Sequence, residues 1–194
     1  MKFAYADPPY LGLSKRFYGD LHPEAAAYDK KEKHVELIAR LMDEFPDGWA
    51  VSLHAPALPF YCSIMPEKAR VCAWTKTIHQ IWWNVTVQYA WEPVILYGGR
   101  QEKHRRPMVR DYLNCARAQR KGLRGSKPDL FNDWILKLLN YKQGDEMIDL
   151  FPGTNGMAKQ LINYMSESTE GGGFSETWLD TDDVVVCCRS LSNI

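Results

Sequence analysis

No apolar run in the chain approaches the roughly 18–20 residues that a bilayer-spanning helix requires. The first residues, MKFAYADPPY, also lack the basic segment and apolar core of a secretory leader. A transmembrane or exported protein is therefore not expected. The 5 cysteines (Cys62, Cys72, Cys115, Cys187 and Cys188) form no C-x-x-C pair. An odd number, with two adjacent in an apolar run, reads as reduced thiols in a cytoplasmic protein rather than a disulfide framework. The 5 histidines are scattered, and no metal site is expected. Net charge is missing too: 24 Lys and Arg balance 24 Asp and Glu, so the molecule as a whole does not attract polyanions. There is no internal repeat, and 194 residues with 45% hydrophobic content suit one domain, residues 1–194.

What is present is an alternation of strand-like and helix-like segments. MKFAYAD reads as a buried strand closed by Pro8 and Pro9, which have no N–H to continue a ladder. HVELIARLMDEF places Val35, Ile38, Leu41, Met42 and Phe45 on one helical face. WAVSLHA, ARVCAW and EPVILYGG read as further strands, with a short helix at 56–66. KPDLFNDWILKLLN reads as a helix that buries Leu130, Phe131, Trp134, Ile135, Leu138 and Leu139, with Pro128 in its first turn. GDEMIDLF is a strand, and PGTNGMAKQLINYM a glycine turn feeding a helix that starts at Thr154 or Asn155. DVVVCCR is a closing strand. Such alternation predicts an α/β fold, mostly parallel, with helices on both faces.

Charge is uneven within this neutral chain. Residues 100–127 carry ten Lys or Arg against two acids, the pattern either of a nucleic-acid contact surface or of a solvated loop. Residues 11–33 form a second polar stretch, and with 100–127 they are the candidate nucleic-acid-contacting loops. The aromatic run IWWNVTVQYAW, with Trp82, Trp83, Tyr89 and Trp91, is expected mainly to pack the core, with a base pocket or a partner chain as alternatives.

Two turns lie at carboxyl ends of strands, where ligands bind in open α/β sheets. In DLFPGTNG, Gly153 and Gly156 let the backbone approach a ligand, and the following helix offers free N–H groups. Phe151 can cover a flat ring, and Asp149 can accept hydrogen bonds from a cationic amine. In ADPPY, the two prolines stiffen a turn whose carbonyls stay unpaired. Asp7 and an outward carbonyl then form an acceptor pair suited to an exocyclic amino group. Tyr10 offers a face for base stacking, worth about 1–3 kcal/mol. A structural turn explains either motif by itself. If the two strands are neighbours, the turns share one crevice with room for two ligands.

Together, ADPPY and DLFPGTNG resemble the amino-methyltransferases that carry a D-P-P-Y motif, in the permuted order with the catalytic turn first. More narrowly, YADPPYLG, PDGWAVSL, AWEPVILYGGR, GSKPDLF and GDEMIDLFPGTNG, spanning residues 5 to 156, resemble short methyltransferase-like proteins of actinobacterial phages. The resemblance implies a single Rossmann-like domain with a mostly parallel, seven-stranded type of sheet. It implies S-adenosyl-L-methionine as cofactor and methyl transfer to the N6 amino group of adenine in DNA. Asp7 and the Pro8 carbonyl would accept the target amino group, Pro9 would line the substrate side, and Tyr10 would stack on a flipped base. Asp149, Phe151, Gly153, Thr154 and Lys127 would line the cofactor pocket. Arg105, Arg106, Arg120 and Lys121 would contact phosphates, giving salt-sensitive binding. Lys76 matches a lysine of the family, but a surface position at a strand end is the expectation for it.

Three departures stand out. Asn155 occupies a position where a second close glycine is common. The acid expected to grip the cofactor ribose is open among Glu176, Asp180, Asp182 and Asp183. No separate recognition domain is visible, which leaves room for a homodimer. Cytosine N4, RNA or a free nucleotide as substrate, or a non-catalytic nucleic-acid-binding module, are the alternatives.

Overall fold

The computed structural model describes residues 1–15, 23–77, 81–103, 108–116, 126–153 and 155–169. Its strands are β1 (Lys2–Ala6), β2 (Gly48–Ser52), β3 (Arg70–Thr75), β4 (Trp91–Gly98), β5 (Tyr112–Asn114) and β6 (Glu146–Asp149). Its helices are α1 (Lys31–Glu44), α2 (Leu58–Ile64), α3 (Asp129–Leu139) and α4 (Gly156–Thr169). The strands form one sheet in the order β5-β3-β4-β2-β1-β6.

Strand β1 lies between β2 and β6 and runs parallel to both. Its side chains alternate between two cores, as a period of two requires. Phe3 and Tyr5 join Phe131, Trp134, Ile135, Leu139, Met157 and Leu161 beneath α3 and α4. Ala4 and Ala6 join Leu37, Ile38, Leu41, Trp49, Val51 and Tyr61 beneath α1 and α2. Helices therefore cover both faces, as the alternating pattern predicts.

The mostly parallel, seven-stranded expectation is corrected to a mixed sheet of six strands among the described residues. β4 pairs antiparallel with both β2 and β3, while β3 and β5 are parallel. The reason lies in the connection: no helix is present in the described part of 76–90, and a parallel neighbour needs a crossover, usually helical. β5 also interrupts the basic segment that reads as a loop in the sequence. The expected closing strand DVVVCCR lies outside the described residues.

At the end of the sheet away from the two turns, β2 and β4 meet through glycines. A Cβ on Gly48 would lie 2.3 Å from the Gly99 nitrogen, so only glycine lets these backbones touch. Two helical faces also rotate slightly from expectation. α1 buries His34, Leu37, Ile38 and Leu41, leaving Val35 exposed. α3 buries Asn132 and Leu136 and exposes Leu130.

The aromatic run departs most. Trp83 is 97% exposed, and Ile81, Trp82, Val87, Tyr89 and Trp91 are exposed as well, so core packing is not what these residues do. Gln88 instead holds the loop together: its side chain accepts from the Trp82 N–H and donates to the Trp82 and Val85 carbonyls.

Candidate active site

The condition for a shared crevice is met. Tyr5 is in register with Asp149 across the β1–β6 pair, and the Leu150 N–H donates to the Tyr5 carbonyl at 2.9 Å. The ADPPY and glycine turns thus leave adjacent parallel strands at the same edge of the sheet.

β1 stops at Ala6 because Pro8 and Pro9 can donate nothing to a ladder. The chain then folds back, with the Leu13 N–H and the Ser14 hydroxyl donating to the Tyr10 carbonyl at 2.9 and 3.0 Å. Pro8 is buried, while Asp7, Pro9 and Tyr10 are half-buried. The Asp7 carboxylate receives Lys127 on both oxygens, at 2.9 and 2.8 Å. Lys127 also donates to the Tyr10 hydroxyl at 3.0 Å, and that hydroxyl donates to Glu92 Oε2 at 2.8 Å. Lys127 immediately precedes Pro128, the extended N-cap of α3, a position the proline biases away from helical backbone.

Glu92 is a residue that sequence reasoning misses, and the strand direction explains why. β4 runs against its neighbours, so its first residues lie at the edge where the others end. Glu92 at its entrance therefore faces Asp7. Lys76 follows β3 and pairs with Glu92 Oε1; with 7% side-chain exposure it is not the surface lysine expected. His54, just beyond β2, also joins the site: its ring stacks on Tyr10 with centroids 5.9 Å apart and planes 4° apart. Tyr89 packs on His54 with centroids 5.1 Å apart and planes tilted by 47°. A cavity of about 380 Å³ opens beside it, lined by Ala55, Pro56, Val85, Val87, Gln88, Tyr89 and Trp91.

Burial and charge act against each other here. Burial raises the Asp7 carboxyl above its ordinary range, although the Lys127 ammonium pulls it back. Burial would raise Glu92 as well, but Lys127 and Lys76 outweigh it and hold Glu92 down at about 2. Burial opposes the charge on Lys127, yet Asp7 and Glu92 more than restore it. Burial lowers His54, which favours its neutral imidazole. Two carboxylates and two ammonium groups thus form a nearly neutral ladder.

On the cofactor side, Asp149 is 6% exposed and accepts from the Phe151 N–H at 3.1 Å. Burial raises its carboxyl to about 7, with the Asp7 charge adding to the effect. Gly153 has φ 48° and Asn155 φ 56°, both left-handed. Asparagine is the residue other than glycine that best tolerates this region, so the turn closes with Asn155 in the glycine's place. Lys127, expected among the cofactor residues, has its ammonium on the Asp7 side of the crevice. Thr154, Arg105, Arg106, Arg120 and Lys121 lie outside the described residues, as do Glu176, Asp180, Asp182 and Asp183. Within the basic segment, Arg100 is held by Asp145 at 2.5 and 2.6 Å and Lys127 is buried, so neither is free for phosphate. No group of three His, Cys, Asp or Glu able to hold a metal occurs among the described residues. No helix among them is long and apolar enough to cross a membrane.

No family model matches the chain, and no curated protein does. Its fold does match solved structures. One, described as the crystal structure of the M1.HpyAVI-SAM complex, aligns with TM-score 0.52 and 16% identity over 84% of this chain and 78% of that one. At that identity the likeness is one of fold, and the crevice between β1 and β6 must be read from its own residues.

Proposed function

We propose that this chain transfers a methyl group from S-adenosylmethionine to the exocyclic N6 amino group of adenine in DNA. The observation that carries the reading is the pairing of Tyr5 with Asp149, which brings the ADPPY turn and the glycine turn to one end of the sheet and supports reading them as the two halves of one site. The fold neighbour crystallised with SAM supports it.

The residues present fit that cofactor. Asp149 is a buried acid with the Phe151 N–H as its hydrogen-bond donor, and its raised protonation suits a cationic partner that would restore its charge. Phe151, Gly153 and Thr154 follow it toward the start of α4, where backbone N–H groups point outward. S-adenosylmethionine, when bound, would supply an electrophilic methyl group on a positively charged sulfur.

The chain's own work is to hold the acceptor nitrogen. Asp7 and the Pro8 carbonyl accept the two amino hydrogens, which leaves the nitrogen lone pair directed along the crevice. Tyr10, backed by His54, supports the base plane. Pro9 keeps the turn rigid, so little reorganisation is needed at the moment of transfer. No strong base is required, because the proton is lost after the nitrogen has been methylated. Asp7→Ala should reduce transfer by at least about a hundredfold while cofactor affinity, measured by calorimetry, stays unchanged. Undiminished transfer by this variant would contradict the proposal.

A further inference from the structure

The ammonium of Lys127 sits astride both oxygens of Asp7, where a substrate amino group has to point its hydrogens. It is 8% exposed, and the rings of Tyr10, Phe131 and Trp74 lie 5.4, 5.8 and 6.0 Å from it, so water cannot readily take over as its partner. An enclosed ammonium that leaves one carboxylate needs another. Glu92 Oε2 is 3.5 Å from Lys127 Nζ. The other Glu92 oxygen is tied to Lys76, which fixes the carboxylate with Oε2 turned toward Lys127 and the Tyr10 hydroxyl.

We infer that Glu92 is a positioning residue that receives the Lys127 ammonium when a substrate amino group takes the Asp7 carboxylate. The inference rests on the reading that Asp7 accepts such a group. The Tyr10 hydroxyl lies between the two carboxylates and bonds to Lys127 on one side and Glu92 on the other, so the ammonium stays hydrogen-bonded as it shifts. No bond is made or broken and no proton changes owner; only the counter-ion of Lys127 changes. The groups facing Glu92 are Lys76 after β3, His54 after β2, Tyr10 and Asp7 from the β1 turn, Tyr5 in β1, and Lys127 before α3.

The test is steady-state methyl transfer to adenine-containing DNA by the full chain at saturating S-adenosylmethionine, across pH, for wild type and Glu92→Gln. Glutamine keeps the size and an acceptor for Tyr10 but removes the charge that draws Lys127 off Asp7. The expected result is a drop of at least about tenfold in kcat/KM for DNA, with cofactor affinity by calorimetry within twofold of wild type. The acid limb of the pH profile should also move to lower pH, because Asp7 keeps its ammonium and loses a neighbouring negative charge. If Glu92→Gln does not fold, Lys76→Gln, which unties Glu92 Oε1 but leaves its charge and removes a positive one, should lower kcat/KM by a smaller factor and move the acid limb to higher pH instead. An active wild type with an unmoved limb in the variant, whether or not its rate falls, overturns the inference and leaves the proposed function standing. A wild type that methylates no DNA overturns both.

Discussion

Asp149 carries the sharpest consequence at the scale of single residues. Its carboxyl is raised from the ordinary aspartate range to about 7 in the folded chain. A raised carboxyl stabilises the fold below the unfolded value, and that stability is lost as pH rises through about 7. The penalty at pH 8 has an upper bound of about 4 kcal/mol from the size of the shift. Asp149→Asn should therefore raise the Tm of the ligand-free protein at pH 8 by at least about 3 °C, with a smaller gain at pH 5. The same variant should weaken S-adenosylmethionine binding about tenfold or more at pH 8, and wild-type binding should weaken as pH falls from 8 to 6. Thermal melts and calorimetry at the two pH values check this. A variant no more stable than wild type at pH 8 would show that Asp149 is not a strained acid. The contrast with Asp7 is instructive: Asp149 is buried and Asp7 half-buried, and Lys127 answers Asp7 while the Phe151 N–H answers Asp149.

At the scale of elements, the site depends on the direction of one strand. Five strands share a direction and β4 opposes them, which brings Glu92 to the edge where Asp7 and Asp149 stand. That reversal is anchored at the opposite end by Gly48 against Gly98 and Gly99. Because a Cβ on Gly48 would come within 2.3 Å of the Gly99 nitrogen, Gly48→Ala should cost at least about 2 kcal/mol in denaturant unfolding. A change below about 0.5 kcal/mol would mean that β2 and β4 do not meet as described. Much of this was legible in sequence. The alternation in KFAYA, the proline stop and the glycine turn locate β1, β6 and both ligand turns without coordinates. Glu92 was not legible, because a charged residue before an apolar run reads as a solvated strand entrance until the strand's direction is known. The clue was there in the link from β3 to β4, which shows no helical periodicity and so argues against a parallel crossover. Lys76 and Lys127 were visible as lysines near strand or helix ends, but only packing shows that both are buried against acids. The exposed IWWNVTVQYAW run misleads for the converse reason: aromatic content argues for burial, yet the loop is closed on itself by Gln88 bonds to the Trp82 and Val85 backbone and Trp83 stays 97% exposed.

At the scale of the whole molecule, the sheet carries helices on both faces, and among the described residues the groups of the proposed site lie along one end of it. The turn with Asp7, the ladder through Lys127, Glu92 and Lys76, the ring contacts of Tyr10 with His54 and of His54 with Tyr89, and Asp149 at the end of β6 form a continuous line. A neutral chain can still meet DNA there if the basic segment that interrupts it lies close, since phosphate contact is a local matter of charge. Arg100 is tied to Asp145 and Lys127 is buried against Asp7, so Arg105, Arg106, Arg120 and Lys121 carry that expectation. The central claim, methyl transfer to the N6 amino group of adenine, is tested most directly by incubating the full chain with a methyl-labelled S-adenosylmethionine and genomic DNA, then digesting to nucleosides and identifying the labelled species by mass. The expected result is labelled N6-methyladenosine of the deoxy series, absent with Asp7→Ala. Label in N4-methylcytosine, or in no nucleoside at all, would contradict it.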